Sequence, residues 1–329
     1  MEVNVAKVYV CRNWWPEILT RLSESHPTEI WMAETNPPRE VLLDKLADVE
    51  GLLCAANLTI DAEILDAAPK LRAVGNVAVG YSNLDIKTLN ARRIPVGYTP
   101  TVLTETTADL TFALILASAR RIVEVDSYVK QGKWLNVVQM DLFGVDVNNT
   151  TLGIVGLGRI GSQVAKRAKA FNMRVLYYDV VRREGLEQLL GVEYVADLHE
   201  LLAAADFVSI HTDLSEKTRH MIGAKEFAVM KPTAIFINIA RGPVVDQNAM
   251  YEALKSKKIL SAALDVVAIE PIPPDDPLLS LDNVIITPHV GSAVLRTRKR
   301  MLEVGIENLL AGLRGERMPY CANPTVYEN

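Results

Sequence analysis

Cysteine is scarce in this chain of 329 residues, which has only Cys11, Cys54 and Cys321. They lie far apart and in no metal-ligand spacing, which excludes a disulfide-framed scaffold and a zinc module. Reduced thiols, no metal and a cytoplasmic setting are expected. Basic clusters are missing too. The formal net charge is −5, and Lys and Arg never gather into a block, so there is no electrostatic footprint for nucleic acid or an anionic membrane. No apolar run approaches the roughly 20 residues of a membrane span. The most apolar helical stretch, 110–119, ends in Arg120 and Arg121 and reads as a buried helix. The opening MEVNVAKVYVC has no basic segment followed by a long apolar one, so no signal peptide is expected. Internal repeats and low-complexity segments are also absent. What remains is an ordinary globular composition, 49% apolar and 23% charged, in a chain long enough for two cores. A small molecule is the expected partner.

Up to about residue 100, short apolar runs (AKVYVC, GLLCA, LRAVG) alternate with amphipathic stretches at 15–25, 39–46 and 61–68. That alternation predicts a parallel sheet with crossover helices. A long helical pattern follows over 104–131 and stops at Gly132; residues 133–150 have no period and read as an arm or loop. By pattern alone a second unit begins at Thr151. There the runs TLGIVG, MRVLYYD, DFVSIHT, AIFINIA, LSAALDV and NVIITPH predict a doubly wound sheet, and 293–314 reads as one more amphipathic helix.

The strand TLGIV leads directly into Gly156-Leu157-Gly158-Arg159-Ile160-Gly161, and Val164, Ala165 and Ala168 continue as a helix. The first glycine permits a tight turn, the second lets backbone approach a pyrophosphate, and the third lets helix and strand pack closely. Asp179 closes the next strand at about the spacing where an acid accepts ribose hydroxyls. The order strand, turn, helix, strand, acid predicts a dinucleotide site. Asp179 argues for NAD over NADP because it would repel a 2′-phosphate, while the neighbouring Arg182 and Arg183 argue the other way.

Ligands of open α/β sheets sit beyond the carboxyl ends of the strands. Those ends carry Arg241, then Asp265 and Glu270, then His289 followed by Ser292. Reducing a 2-oxo acid needs a cation for the carboxylate, a proton donor for the carbonyl oxygen and a group that keeps the donor protonated. Arg241, His289 and Glu270 are of those types. Taken singly, each also suits a plain loop end; together, at successive strand ends, they point to hydride chemistry.

With these motifs the chain resembles the D-isomer-specific 2-hydroxyacid dehydrogenases, and among them the glyoxylate/hydroxypyruvate reductases. The match spans the chain through NVAVGYSNLDI (76–86), TETTADLTFALILASARR (104–121), TLGIVGLGRIG (151–161), MKPTAIFINIARGPVVD (230–246), ALDVVAIEP (263–271) and ITPHVGSA (286–293). The resemblance implies two Rossmann-like doubly wound α/β domains. A cofactor domain, 102–292, is inserted into a discontinuous substrate domain, 1–101 and 293–329. It implies that the amides of Val79 and Gly80 meet the substrate carboxylate with Arg241, that His289 donates the proton, that Glu270 supports the imidazole, and that Ser292 touches substrate. Thr104, Gly156, Gly158, Arg159, Ile160, Gly161, Asp179, Ile239, Ala240, Arg241 and Asp265 would then hold NAD, or NADP, with Asp265 orienting the carboxamide. An arm at about 122–150 would build a homodimer. Trp134 then reaches the neighbouring subunit's site or anchors the arm to its own interface.

Two departures bear on the cofactor. Where the family usually has Val-Pro-Leu after the third strand of the cofactor domain, this chain has Thr212-Asp213-Leu214, and the NADP-using branch's Ser-Arg is replaced by Asp179-Val180. Both lean towards NAD. The loop NVAVGY supplies no basic residue, which favours small unphosphorylated acids over phosphoglycerate. Other 2-oxo acids, such as 2-ketogluconate, and a corepressor-like NAD sensor stay open as alternatives.

Overall fold

Val8–Val10 (β1), the middle of the first apolar run, pairs with Thr28–Ile30 (β2) and Gly51–Ala55 (β3). Ala73–Val77 (β4) and Val96–Gly97 (β5) extend this into an all-parallel sheet of order β2-β1-β3-β4-β5. The crossovers are Pro16–Ser23 (α1), Arg39–Lys45 (α2), Ala62–Asp66 (α3) and Ile86–Ala91 (α4). Their starts are set by sequence: Pro16 opens α1, and the side chains of Asp61 and Asp85 accept from Ile64 N and Thr88 N to cap α3 and α4. β2 and β5 carry no long apolar run and escape the sequence pattern.

The structure is a computed structural model describing residues 5–33, 35–135 and 140–328. By packing, the chain divides into two units, Met1–Leu103 with Ala293–Asn329, and Thr104–Ser292. The second unit therefore starts well before Thr151. Thr104–Ala119 (α5) packs on the sheet of the second unit, burying Ala108, Phe112 and Ile115 with Leu152 and Ile154. The single helix predicted over 104–131 is in fact two, α5 and Ile122–Lys130 (α6). At the break, Val145 N donates to Ala119 O at 2.8 Å, taking an acceptor the helical ladder would have used, and Arg121 turns left-handed with φ 52°. The interruption comes from a segment distant in sequence, so periodicity could not show it. Within the expected arm, residues 136–139 lie outside the described residues, and Met140–Leu142 forms one 3₁₀ turn.

Seven parallel strands form the second sheet: Thr151–Val155 (β6), Arg174–Tyr178 (β7), Glu193–Tyr194 (β8), Phe207–Ile210 (β9), Ile235–Asn238 (β10), Ser261–Leu264 (β11) and Val284–Ile286 (β12). Six were expected. The extra one, β8, has two residues and an exposed glutamate, too short and polar for an apolar run. Between them run Arg159–Ala170 (α7), Glu184–Leu190 (α8), Leu198–Ala204 (α9), Ala224–Val229 (α10) and Gln247–Lys255 (α11). The order β12-β11-β10-β9-β6-β7-β8 reverses direction beside β6, so the glycine turn leaves β6 at the topological switch point where such sheets bind ligands. Apolar clusters fill both faces of the sheet, which is why β6, β9 and β10 read as continuous apolar runs. The helix predicted at 293–314 is Leu295–Leu313 (α12), which packs in the first unit with Met301, Leu302, Ile306 and Leu309 against Leu53 and Val77.

Candidate active site

The turn after β6 is built by close approach. Gly156 has φ 97°, and its N–H donates to Tyr178 O at 2.8 Å, tying the turn to the end of β7. A Cβ on Gly161 would lie 2.2 Å from Gly156 O, so any side chain there would push α7 off the turn. Gly158 is the opposite case: it caps α7, and a Cβ there would meet no atom within 4 Å, which leaves open space before the helix N-terminus. Arg159 and Ile160 occupy the first turn of α7, whose leading N–H groups have no intrahelical partner. Asp179, just beyond β7, is mostly sheltered, and its carboxylate accepts from Leu157 N at 2.9 Å and Val181 N at 3.1 Å. A carboxylate has about four acceptor positions, so two backbone bonds fix Asp179 and leave room for ribose hydroxyls.

Beyond β10 the chain turns through buried Ile239 and Ala240 to Arg241. Asn238, buried and not singled out by its sequence context, holds this turn: its side chain accepts from Ala240 N at 3.0 Å and donates to Arg241 O at 3.1 Å. Arg241 Nη1 donates to Ala240 O at 2.6 Å. Burial pulls the guanidinium below its ordinary pKa, opposed by the Glu270 carboxylate. An arginine so shifted stays charged at neutral pH.

Asp265 follows β11 and is 2% exposed. Its carboxylate accepts from Thr287 Oγ1 at 2.6 Å, Val290 N at 2.8 Å and Gly291 N at 2.8 Å, and its carbonyl accepts from His289 N at 3.0 Å. It clamps the loop that carries His289. Thr107 of α5, also missed in the sequence, donates from its hydroxyl to Gly291 O at 3.1 Å and holds the same loop just before Ser292, itself buried. His289 sits in the left-handed region with φ 53°. Its Nδ1 is 2.7 Å from Glu270 Oε2, and Glu270 Oε1 accepts from Val267 N at 3.3 Å. Burial raises the Glu270 pKa, but the His289 contact and Arg241 outweigh it, and the net shift is downward. Glu270 is therefore an anion at neutral pH. Its oxygen facing Nδ1 makes that nitrogen the donor and leaves Nε2 with no protein partner among the described residues.

Thr104 is the first residue of α5. In the first unit, Val79 and Gly80 lie half-buried on the loop after β4, where buried Asn76 donates from Nδ2 to Gly80 O at 2.9 Å. After β9, His211 and Thr212 back onto the glycine turn, where a Cβ on Gly156 would be 2.9 Å from His211 O and 3.1 Å from Thr212 N; Asp213 follows them in the chain. No group of three or more His, Cys, Asp or Glu able to hold a metal occurs among the described residues.

The open helix N-terminus at Gly158 and the tethered carboxylate of Asp179 fit a dinucleotide. Residues 112–291 match the model of the D-isomer specific 2-hydroxyacid dehydrogenase NAD binding domain. The chain is 50% identical over 321 residues to a glyoxylate reductase of Korarchaeum cryptofilum, covering 97% of this chain and 96% of that one. It is 45% identical over 313 residues to a glyoxylate/hydroxypyruvate reductase B of Escherichia fergusonii, covering 94% and 96%. Its fold is similar, with a TM-score of 0.89, 30% identity and 99% coverage of both chains, to an NADPH-dependent glyoxylate/hydroxypyruvate reductase of Sinorhizobium meliloti solved with NADP and malonate. A sheet that switches direction at a glycine turn, and a histidine held by a glutamate beyond the far strands, thus coincide with likeness along nearly the whole chain: this is an NAD(P)-dependent oxidoreductase and belongs to the D-isomer-specific 2-hydroxyacid dehydrogenase family.

Proposed function

We propose that this enzyme reduces a small unphosphorylated 2-oxo acid, glyoxylate or hydroxypyruvate, to the D-2-hydroxy acid, with NADH preferred over NADPH. The observation that carries the reading is the 2.7 Å contact between His289 Nδ1 and Glu270 Oε2, which leaves Nε2 free to serve as the acid. The names of the relatives from K. cryptofilum and E. fergusonii support the substrate class.

In this reading the cofactor domain is 102–292 and the substrate domain 1–101 with 293–329. Thr104, Gly156, Gly158, Arg159, Ile160, Gly161, Asp179, Ile239, Ala240, Arg241 and Asp265 bind the cofactor. When bound, the nicotinamide supplies the hydride for the 2-carbon. His289 holds a proton at Nε2 and passes it to the carbonyl oxygen as negative charge develops there. Glu270 stabilises the imidazolium before transfer and keeps the ring turned. Arg241 takes the substrate carboxylate as a planar, permanently charged fork, and the amides of Val79 and Gly80 and the Ser292 hydroxyl are assigned to substrate as well. Asp265 acts chiefly by holding the His289 loop, since three of its acceptor positions are filled, which leaves about one for a carboxamide. The enzyme works as a cytoplasmic homodimer through the arm at about 122–150, a reading supported by the exposed Ile122, Val123, Trp134, Leu135, Met140 and Phe143.

The test is cofactor consumption by the purified protein with NADH and NADPH, each against glyoxylate, hydroxypyruvate, 2-ketogluconate and phosphohydroxypyruvate. Turnover of the first two, faster with NADH, is expected; no turnover of either would overturn the reading. His289→Asn should abolish reduction while NADH still binds in a fluorescence titration. Loss of binding together with activity would contradict the role given to His289.

A further inference from the structure

Asp179 is followed by two guanidinium groups, Arg182 and Arg183. A free guanidinium in this position would be the natural partner of a 2′-phosphate. Neither is free. Arg182 Nε donates to Glu187 Oε1 at 3.0 Å and Nη2 to Glu187 Oε2 at 2.9 Å, a two-point grip by the first turn of α8. The grip is itself held. Tyr177 OH, reaching out from a ring buried in β7, donates to Glu187 Oε1 at 2.6 Å and accepts from Arg183 N at 2.8 Å. On the other side, the Arg182 guanidinium lies 5.4 Å from the centre of the Tyr194 ring, and Tyr194 pairs with Tyr177 across β7 and β8. Arg183, for its part, lies with Nε 4.0 Å from Asp179 Oδ2, a loose ion pair with the ribose acceptor itself.

We propose that Glu187 is a positioning residue that draws the Arg182 guanidinium away from the ribose end of the cofactor site and thereby sets the preference for NADH over NADPH. This rests on Asp179 being the ribose acceptor. A single exposed ion pair holds a side chain weakly; here the carboxylate is anchored by a buried tyrosine, and the cation is stacked as well as paired. Hydrogen bonds from Arg182 and then Tyr177 hold the Glu187 pKa down at about 2, so Glu187 keeps its charge, and the grip, at neutral pH. A 2′-phosphate arriving beside Asp179 meets one carboxylate directly and finds the nearest cations engaged.

The test compares adenosine 2′,5′-bisphosphate with AMP, which differ by the 2′-phosphate alone, by calorimetric titration of the protein without cofactor, alongside NADPH and NADH kinetics. Glu187→Gln keeps an acceptor for Tyr177 OH and removes the charge that holds Arg182. It should raise bisphosphate affinity relative to AMP by at least about threefold, the order of one ion pair, and shift the kinetic ratio the same way. Arg182→Ala alone should leave the ratio unchanged, and adding it to Glu187→Gln should erase the gain, which is the coupling a double-mutant cycle measures. Tyr194→Leu, which removes the stacking and leaves the pair, should shift the ratio in the same direction by less, and serves if Glu187→Gln does not fold. An unchanged ratio in Glu187→Gln, or a gain that survives Arg182→Ala, would overturn the proposal. Asp179→Asn separates the two levels: if AMP and NADH affinities are unaffected by it, the ribose assignment itself fails, whatever Glu187 does.

Discussion

His289 holds a backbone conformation, φ 53°, that a non-glycine residue adopts at a cost of order 1–3 kcal/mol. The bonds that Asp265 makes to residues 287, 290 and 291 and to His289 N offset it. The strain aims the ring at Glu270. Replacing Glu270 by Gln removes the charge beside His289 Nδ1, so kcat/KM for glyoxylate should fall by about 10²-fold while NADH affinity is kept. Steady-state rates of the variant beside the parent check this, and an unchanged kcat/KM would argue against Glu270 as the support of the proton donor. A second histidine has a different consequence. His211 bonds through Nε2 to Ser209 Oγ at 2.8 Å, and burial drops its pKa to about 3. The unfolded chain takes up that proton near the ordinary histidine value while the folded chain refuses it down to about pH 3. Stability contributed by neutral His211 is therefore present above the unfolded value and is lost as pH falls, at up to about 1.4 kcal/mol per pH unit. Urea unfolding at pH 7 and pH 5 should show this slope, and His211→Asn should flatten it.

Arg241, Glu270 and His289 follow β10, β11 and β12, and that succession is readable from chain order. What brings them together is the fit of their loops. A Cβ on Gly242 would lie 1.9 Å from Val267 O, so the turn carrying Arg241 rests directly on the loop carrying Glu270. Gly242→Ala must separate the two, and a displacement of about 1 Å at a reacting group costs of order 10²-fold. Its kcat/KM for glyoxylate should fall by that order while NADH affinity changes little; parallel losses would mean that the whole sheet edge had moved. The start of α3 was legible because the Asp61 side chain makes it, whereas the short helix α4, capped by Asp85, was not expected from the sequence. The break between α5 and α6 was not, because it depends on Val145 bonding to Ala119 O. Asn238 and Thr107 escaped notice for the same reason: a buried amide or hydroxyl shows its use only once its partner is in place.

At the scale of the molecule, α6 buries none of its residues, and Ile122 and Val123 are 52% and 57% exposed. Apolar surface of this kind is the mark of an interface. Light scattering on the eluting protein should give twice the chain mass, with the double variant Ile122→Asp and Val123→Asp shifted to the monomer; a monomeric parent protein would remove the dimer from the reading. Two cores, a doubly wound sheet, the glycine turn and the acid that follows it were determined by sequence alone, because each depends on residue types at short, regular spacing. The tertiary structure alone decided which strand ends meet, that 104–130 is two helices rather than one, and that Glu187 holds Arg182. Those outcomes depend on distances between side chains far apart along the chain or turned by backbone angles that no spacing records. Arg182 is the clearest case: read in sequence it argued for a 2′-phosphate, and folded it is bound to a glutamate.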